Sequence, residues 1–298
     1  GVVHAVDNVS FKINAGETLG VVGESGCGKS TLGRALIRLY DPTEGKILYR
    51  GEDIAAMGKE KFRKVQKQMQ MIFQDPYSSI NPHFSVGETV LDPLRVSKTI
   101  TDKNKRMAKV TETMELCGLP ERYFNTYPHE LDGGRRQRVG LARALVLDPE
   151  FIVCDEPVSA LDVSVQAQIL NLMLDLKEDK GQTILFISHD LNVVRHVCDR
   201  IAVVYLGAVM EMGTVEQVYN SVAHPYTQAL ISAKPKEHPL ENKKHILLEG
   251  DIPNAVDIPE GCRFAGRCRY FKEGLCDNRT PKLKDIGNGH YVACHFPL

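Results

Sequence analysis

Two rhythms of apolar and polar positions run along the 298 residues. Short apolar runs bounded by turn residues recur at "TLGVVG" (18–23), "FIVCD" (151–155), "TILFIS" (183–188) and "IAVVYL" (201–206). These read as buried strands. "SFKIN" (10–14) alternates like an exposed strand, and "KILYRGEDI" (46–54) and "QMQMIFQ" (68–74) read as further strands. Helical spacing governs "GKSTLGRALIRLY" (28–40), which stops at the turn signal "DPTEG" (41–45). The same spacing returns in "KNKRMAKVTETMELCGL", "RRQRVGLARALVL" and "VQAQILNLMLDLKE". "GAVMEMG" (207–213) follows "IAVVYL" as a hairpin, and "AKPKEHPLENKKH" (233–245) reads as a polar linker or surface loop. The pattern predicts an α/β core interrupted by a helical subdomain over about residues 75–150. It places the main domain at 1–235 and a small Cys-rich C-terminal extension at 236–298.

Composition sharpens this picture. Hydrophobic content is 43% and charged content 25%, enough for a packed core. A formal net charge of −1 supplies no global field to recruit nucleic acid or anionic lipid. The longest apolar runs are far too short to span a bilayer. The chain starts "GVVHAVDNVSF", which reads as truncated at the front. Of eight cysteines, four crowd the last forty residues.

"GESGCGKST", Gly23 to Thr31, matches G-x-x-x-x-G-K-[ST], with a predicted strand before it and a helix after. Glycines at Gly23, Gly26 and Gly28 let the loop turn so that N–H groups point at phosphate oxygens. Glu24, Ser25, Cys27 and Thr31 complete the loop, and the following helix adds its positive N-terminus. Lys29 can reach the β- and γ-phosphates and Ser30 can ligate Mg²⁺. A Gly-rich turn with an incidental lysine is the bland alternative, and the strand–helix context weighs against it. "FIVCDE" ejects two carboxylates from the end of a buried strand, where α/β folds bind ligands. Asp155 suits Mg²⁺, and Glu156 suits polarising the attacking water. Cys27 is either a reactive thiol at a helix N-terminus or simply a small residue that fits the loop.

The series "GESGCGKST", "FQD", "LDGGRRQRVGLARAL", "CDEPVSALD" and "ISHD" resembles the ATP-binding cassette (ABC) ATPases over most of the chain up to about residue 215. The resemblance implies a P-loop NTPase fold of the ABC type, with a helical subdomain and an antiparallel β part. It makes Gln74 a Mg²⁺-sensing residue and His189 the γ-phosphate switch. Ser159 to Asp162 become a loop at the dimer interface. Leu131, Asp132, Gly133, Gly134 and Arg135 occupy the signature position, which faces the ATP of a partner cassette. The family pattern there is L-S-G-G-Q, so Asp132 and Arg135 depart from it. Ionised Asp132 accepts hydrogen bonds only and repels phosphate. It can cap the helix, with Arg135 offsetting its charge. The implied consequence is asymmetry: the site built on Lys29 and Glu156 hydrolyses, and the site completed by this signature is weak. The family also stacks adenine on an aromatic near the first strand. None precedes Phe11, which leaves that role to His4 or to a residue upstream of Gly1.

"HPYTQALISA", "GCRF", "ACH", "AVDNVSF" and "QDPYSSINP" are similar to ATP-binding subunits of dipeptide and oligopeptide importers, most of all the second ATPase subunit. The implied partners are a related ATPase in a heterodimer, two membrane-spanning permease subunits and an extracytoplasmic peptide-binding protein, with no nucleic acid. The implied location is the cytoplasmic face of the cell membrane, peripheral. Cys262, Cys268, Cys276 and Cys294 suit a metal centre in a reducing compartment better than disulfides. Close C-x2–4-C pairs typical of zinc are absent. A [4Fe–4S] cluster fits four thiolates and is implied by the resemblance; zinc and free or paired thiols stay as alternatives. Carrying no phosphate motif, the tail is expected to matter little for ATP chemistry. A soluble ABC-type ATPase acting on nucleic acid or the ribosome is the second function class. The near-zero charge and the absence of two cassettes in one chain count against it.

Overall fold

The computed structural model describes residues 1–159, 161–233, 245–251 and 253–298. Its strands are β1 (Thr18–Val22), β2 (Leu48–Tyr49), β3 (Glu52–Asp53), β4 (Met69–Ile72), β5 (Phe151–Asp155), β6 (Thr183–Ile187), β7 (Arg200–Tyr205), β8 (Ala208–Thr214), β9 (Lys284–Asp285) and β10 (Tyr291–Val292). Its helices are α1 (Lys29–Leu36), α2 (Lys59–Gln66), α3 (Pro76–Ser79), α4 (Val86–Ser97), α5 (Lys103–Leu116), α6 (Gly133–Leu145), α7 (Val163–Lys180), α8 (Leu191–Val197), α9 (Val215–Asn220) and α10 (Pro225–Ser232). The chain divides into two compact units. The first comprises Gly1–Ile13, Glu17–Leu32 and Phe186–Leu298, and the second Asn14–Gly16 and Gly33–Leu185. The cysteine-bearing tail therefore belongs to the unit that carries residues 23–31. The predicted boundary at 235/236 lies outside the described residues.

In the first unit, β1 pairs parallel with β7, and β7 pairs antiparallel with β8. β8 pairs with β10 and β10 with β9, both antiparallel. All five residues of β1 are buried, and so are Ile201 to Tyr205 of β7. Unbroken apolar runs of this kind are what a strand covered on both faces requires. The strand predicted at 10–14 enters no ladder among the described residues. Phe11 and Ile13 are only half-buried, so alternation there has no closed core face to fix a register.

In the second unit, β4 pairs parallel with β5, in register from Met69 with Phe151 to Ile72 with Cys154. α4, α5 and α6 pack on one another, and α6 also packs on β4. Ser85 and Glu88 form a reciprocal cap at the start of α4. Val86, Val90, Leu94, Val110, Met114, Val139 and Leu141 fill the helical core at 2% exposure or less. Burial of each such side chain is worth about 1.5–3 kcal/mol. These helices fall within the stretch, about 75–150, where the sequence predicts helix. Among the described residues no helix is long and apolar enough to cross a membrane.

Candidate nucleotide site

The loop Gly23–Thr31 joins β1 to α1. Gly23 and Gly28 take positive φ angles of 156° and 102°. A Cβ on Gly23 would lie 2.1 Å from the Val204 carbonyl, and one on Gly28 would lie 1.9 Å from that of Ala5. No other residue fits either position. Lys29 is buried, and its Nζ donates to the carbonyls of Gly23 and Glu24, both at 2.9 Å. The loop thus wraps a desolvated cation held by exchangeable carbonyl partners. Cys27 is buried beside it, with Sγ 3.8 Å from Nζ. Burial pushes its thiol pKa up, which fits a small loop-filling residue and not an activated nucleophile. Ser30 follows Lys29 in the first turn of α1.

In the second unit, β5 delivers Asp155 fully buried at its C-terminal end. Arg34 places Nη2 3.6 Å from the Asp155 carboxylate. Glu156 follows in the left-handed region, φ 47°, at a cost of about 1 kcal/mol for a residue with a Cβ. Its Oε2 accepts a hydrogen bond from the Gln74 side-chain amide at 2.9 Å. Two residues 82 positions apart in sequence, each singled out for the site, are in direct contact. Ser159 donates its hydroxyl to the Glu156 carbonyl at 3.2 Å. Asp162 caps α7 by accepting from Val165 N–H and from the Ser164 hydroxyl. Those hydrogen bonds hold its carboxyl pKa below the usual range. Ala160, inside the predicted 159–162 loop, lies outside the described residues. His189 stands exposed just after β6, in the first unit.

Leu131 is buried, and Asp132 is the N-cap of α6. Asp132 Oδ1 accepts from the Arg135 backbone N–H at 2.7 Å, and Oδ2 pairs with the Arg135 guanidinium. Arg135 also stacks over Tyr123, 5.2 Å from the ring centroid. Gly134 passes so close to α7 that a Cβ would meet Val165 Cγ1 at 2.7 Å. Both the capping role and the charge offset expected of Asp132 and Arg135 are present.

The four tail cysteines line one cavity, with His224, Phe264 and Tyr270 among its walls. The Cys262 N–H donates to the Cys276 carbonyl at 2.7 Å, which ties two of them together. Burial pushes the Cys262 thiol up to about 11, and the Cys268 and Cys294 thiols up as well; neighbouring thiolates reinforce each shift. Among the described residues no group of three or more His, Cys, Asp or Glu side chains is arranged to hold a metal ion, so the metal centre expected at these cysteines is not shown.

The tail contacts the loop Gly23–Thr31. Arg267, next to Cys268, forms a two-pronged ion pair with Glu24 at 2.7 and 3.0 Å. Tyr226, in "HPYTQALISA", accepts the Glu24 backbone N–H at 3.0 Å. Arg263, in "GCRF", binds the Leu206 carbonyl and Asp7. In sequence these motifs mark a family resemblance and suggest no role, because their partners lie up to 256 residues away.

Comparison with known proteins identifies the family. Residues 6–159 match the ABC transporter family model. The chain belongs to the ABC transporter ATP-binding family. It is an ATPase of that family, for which ATP and Mg²⁺ are expected. Residues 210–276 match the model for the oligopeptide/dipeptide transporter C-terminal region. The cassette is 49% identical over 299 residues to the oligopeptide transport ATP-binding protein AppF of Bacillus subtilis, covering 99% of this chain and 90% of that protein. It is 48% identical over 292 residues to the oligopeptide transport ATP-binding protein OppF of Haemophilus influenzae, covering 97% and 88%. Among solved structures it resembles the ATP-binding cassette MJ0796, a dimer bound to ADP and Pi, with TM-score 0.66 and 30% identity over 71% of this chain and 90% of that one.

Proposed function

We propose that this cassette is the ATP-hydrolysing subunit of a peptide importer. It sits peripherally on the cytoplasmic face of the membrane, docked on two membrane-spanning permease subunits through its helical subdomain. It pairs with a related ATPase as a heterodimer, and an extracytoplasmic binding protein delivers the peptide. The match of residues 210–276 to the oligopeptide/dipeptide transporter C-terminal region carries this reading. The names of the AppF and OppF relatives support it. Action on nucleic acid or the ribosome is not favoured. Co-purification with two permeases and a second ATPase, and ATP turnover stimulated by peptide-loaded binding protein, are the expected results. Salt-dependent DNA binding without such partners would overturn the reading.

Each chain residue then has a task. Lys29 exchanges the Gly23 and Glu24 carbonyls for β- and γ-phosphate oxygens. Ser30, Gln74 and Asp155 offer the hard oxygen donors that Mg²⁺ takes, and the ion would neutralise charge developing on the phosphates. Glu156, oriented by Gln74, positions the attacking water. His189 contacts the γ-phosphate. Leu131 to Arg135 face the partner's ATP, where Asp132 and Arg135 leave a weaker site. Positioning and preset charge carry most of such catalysis.

The functional division is a cassette over residues 1–235 and a Cys-rich extension over 236–298. A [4Fe–4S] cluster would be held by Cys262, Cys268, Cys276 and Cys294 of the extension. The absence of the close C-x2–4-C pairs typical of zinc sites favours the cluster over zinc. A cubane gives each thiolate its own iron and tolerates wider spacing. The group would supply order to a loop of small apolar content. Iron and acid-labile sulfide in roughly equal amounts, about four of each per chain after anaerobic purification, are the expected result. Zinc alone would overturn it.

A further inference from the structure

Glu24 is an acid inside a loop that must receive polyphosphate. Its three polar groups are all engaged within one unit. The carbonyl takes Lys29 Nζ at 2.9 Å, the N–H goes to the Tyr226 hydroxyl at 3.0 Å, and the carboxylate takes both prongs of Arg267. Arg267 is nearly buried, at 9% side-chain exposure, against 22% for Glu24. Its guanidinium also lies over the Tyr205 ring, 5.9 Å from the centroid. Tyr205, Tyr226 and Phe264 pack together with ring centroids 4.7 to 5.5 Å apart. This aromatic group fixes both the hydroxyl that holds the loop's backbone and the platform under the arginine. Arg267 sits between Cys262 and Cys268 in sequence, in a short 3-10 turn whose carbonyls and N–H groups bond locally.

We propose that Arg267 is a positioning residue for the phosphate loop. It neutralises Glu24 and so lets an anionic nucleotide approach, and it couples the cysteine-bearing turn to ATP affinity. The physical basis is the asymmetry of a partly buried ion pair. Removing one member strands the other charge in a poorly solvated place. Here the stranded charge would be a carboxylate beside incoming phosphates. The bidentate fork also fixes direction, which a lysine at the same position would not do. The inference rests on Gly23–Thr31 being the phosphate loop, which Lys29→Ala tests separately in the same assay.

The test is MgATP affinity of the full chain, read by displacement of a fluorescent ATP analogue at low and high salt. Arg267→Ala is expected to weaken binding about five- to tenfold at low salt and less at high salt, because the stranded charge is screened. Glu24→Gln alone supplies the reference affinity against which the double variant is read. The Arg267→Ala, Glu24→Gln double variant is expected to return to within about twofold. A merely structural arginine would not be rescued by removing the acid. If Arg267→Ala does not fold, Arg267→Gln removes the charge while keeping bulk and hydrogen bonding. Unchanged affinity in either single arginine variant, or a loss that Glu24→Gln does not repair, would overturn the proposal. Normal affinity in Lys29→Ala would instead overturn the loop assignment.

Discussion

The phosphate loop and the signature stretch are both glycine-bearing turns that open a helix, yet they treat charge in opposite ways. In the loop the cation is buried, held by two carbonyls at 2.9 Å that it can give up. The loop's one acid is clamped from outside by Arg267. In the signature both charges are exposed and spent on each other, Asp132 against Arg135. A serine there would present a hydroxyl donor, whereas Asp132 presents oxygens already taken by the Arg135 backbone and guanidinium. One turn surrounds a buried cation. The other is a capped helix start whose acid and arginine pair with each other.

The contrast breaks most severely at Lys29. Lys29→Ala should abolish MgATP binding to the full chain, measured by equilibrium binding, while the signature stays intact. Retained normal affinity would show that the buried cation does not serve phosphate. Asp132→Ser is a smaller and sharper probe. Serine is an equally good N-cap, so α6 should keep its stability to within about 0.5 kcal/mol. Arg135 loses its partner and the turn gains a donor. Nucleotide occupancy at the site completed by this signature should rise a few-fold in the assembled transporter. Unchanged occupancy and turnover at both sites would remove the claimed difference between the two turns.

Much of this was legible in sequence, for specific reasons. β1, β5, β6 and β7 are continuous apolar runs, and strand burial leaves that signature whatever the topology. α6 and the loop before α1 carry their own punctuation in Asp132, Gly133 and the spaced glycines. The contact between Gln74 and Glu156 was legible only as two separate motifs, and folding supplies their meeting. What sequence could not show is pairing across long separations. Arg267 and Glu24 are 243 residues apart, and neither carries a local cue for the other. The lack of a phosphate motif in the tail gives no hint of this contact. The strand at 10–14 failed for a complementary reason: alternation is a local signal, and register needs a buried face that Phe11 and Ile13 do not provide.

The proposed function gives this chain's Glu156, which lies in the left-handed region and accepts a hydrogen bond from Gln74, the task of positioning the attacking water. The direct measurement is steady-state ATP turnover of the assembled transporter carrying Glu156→Gln in this chain alone, with bound nucleotide counted in parallel. The expected result is a loss of turnover of ~10²-fold or more with nucleotide still bound, the scale of a removed general base or preset charge. Undiminished turnover would contradict the assignment and move the chemistry to the partner's side.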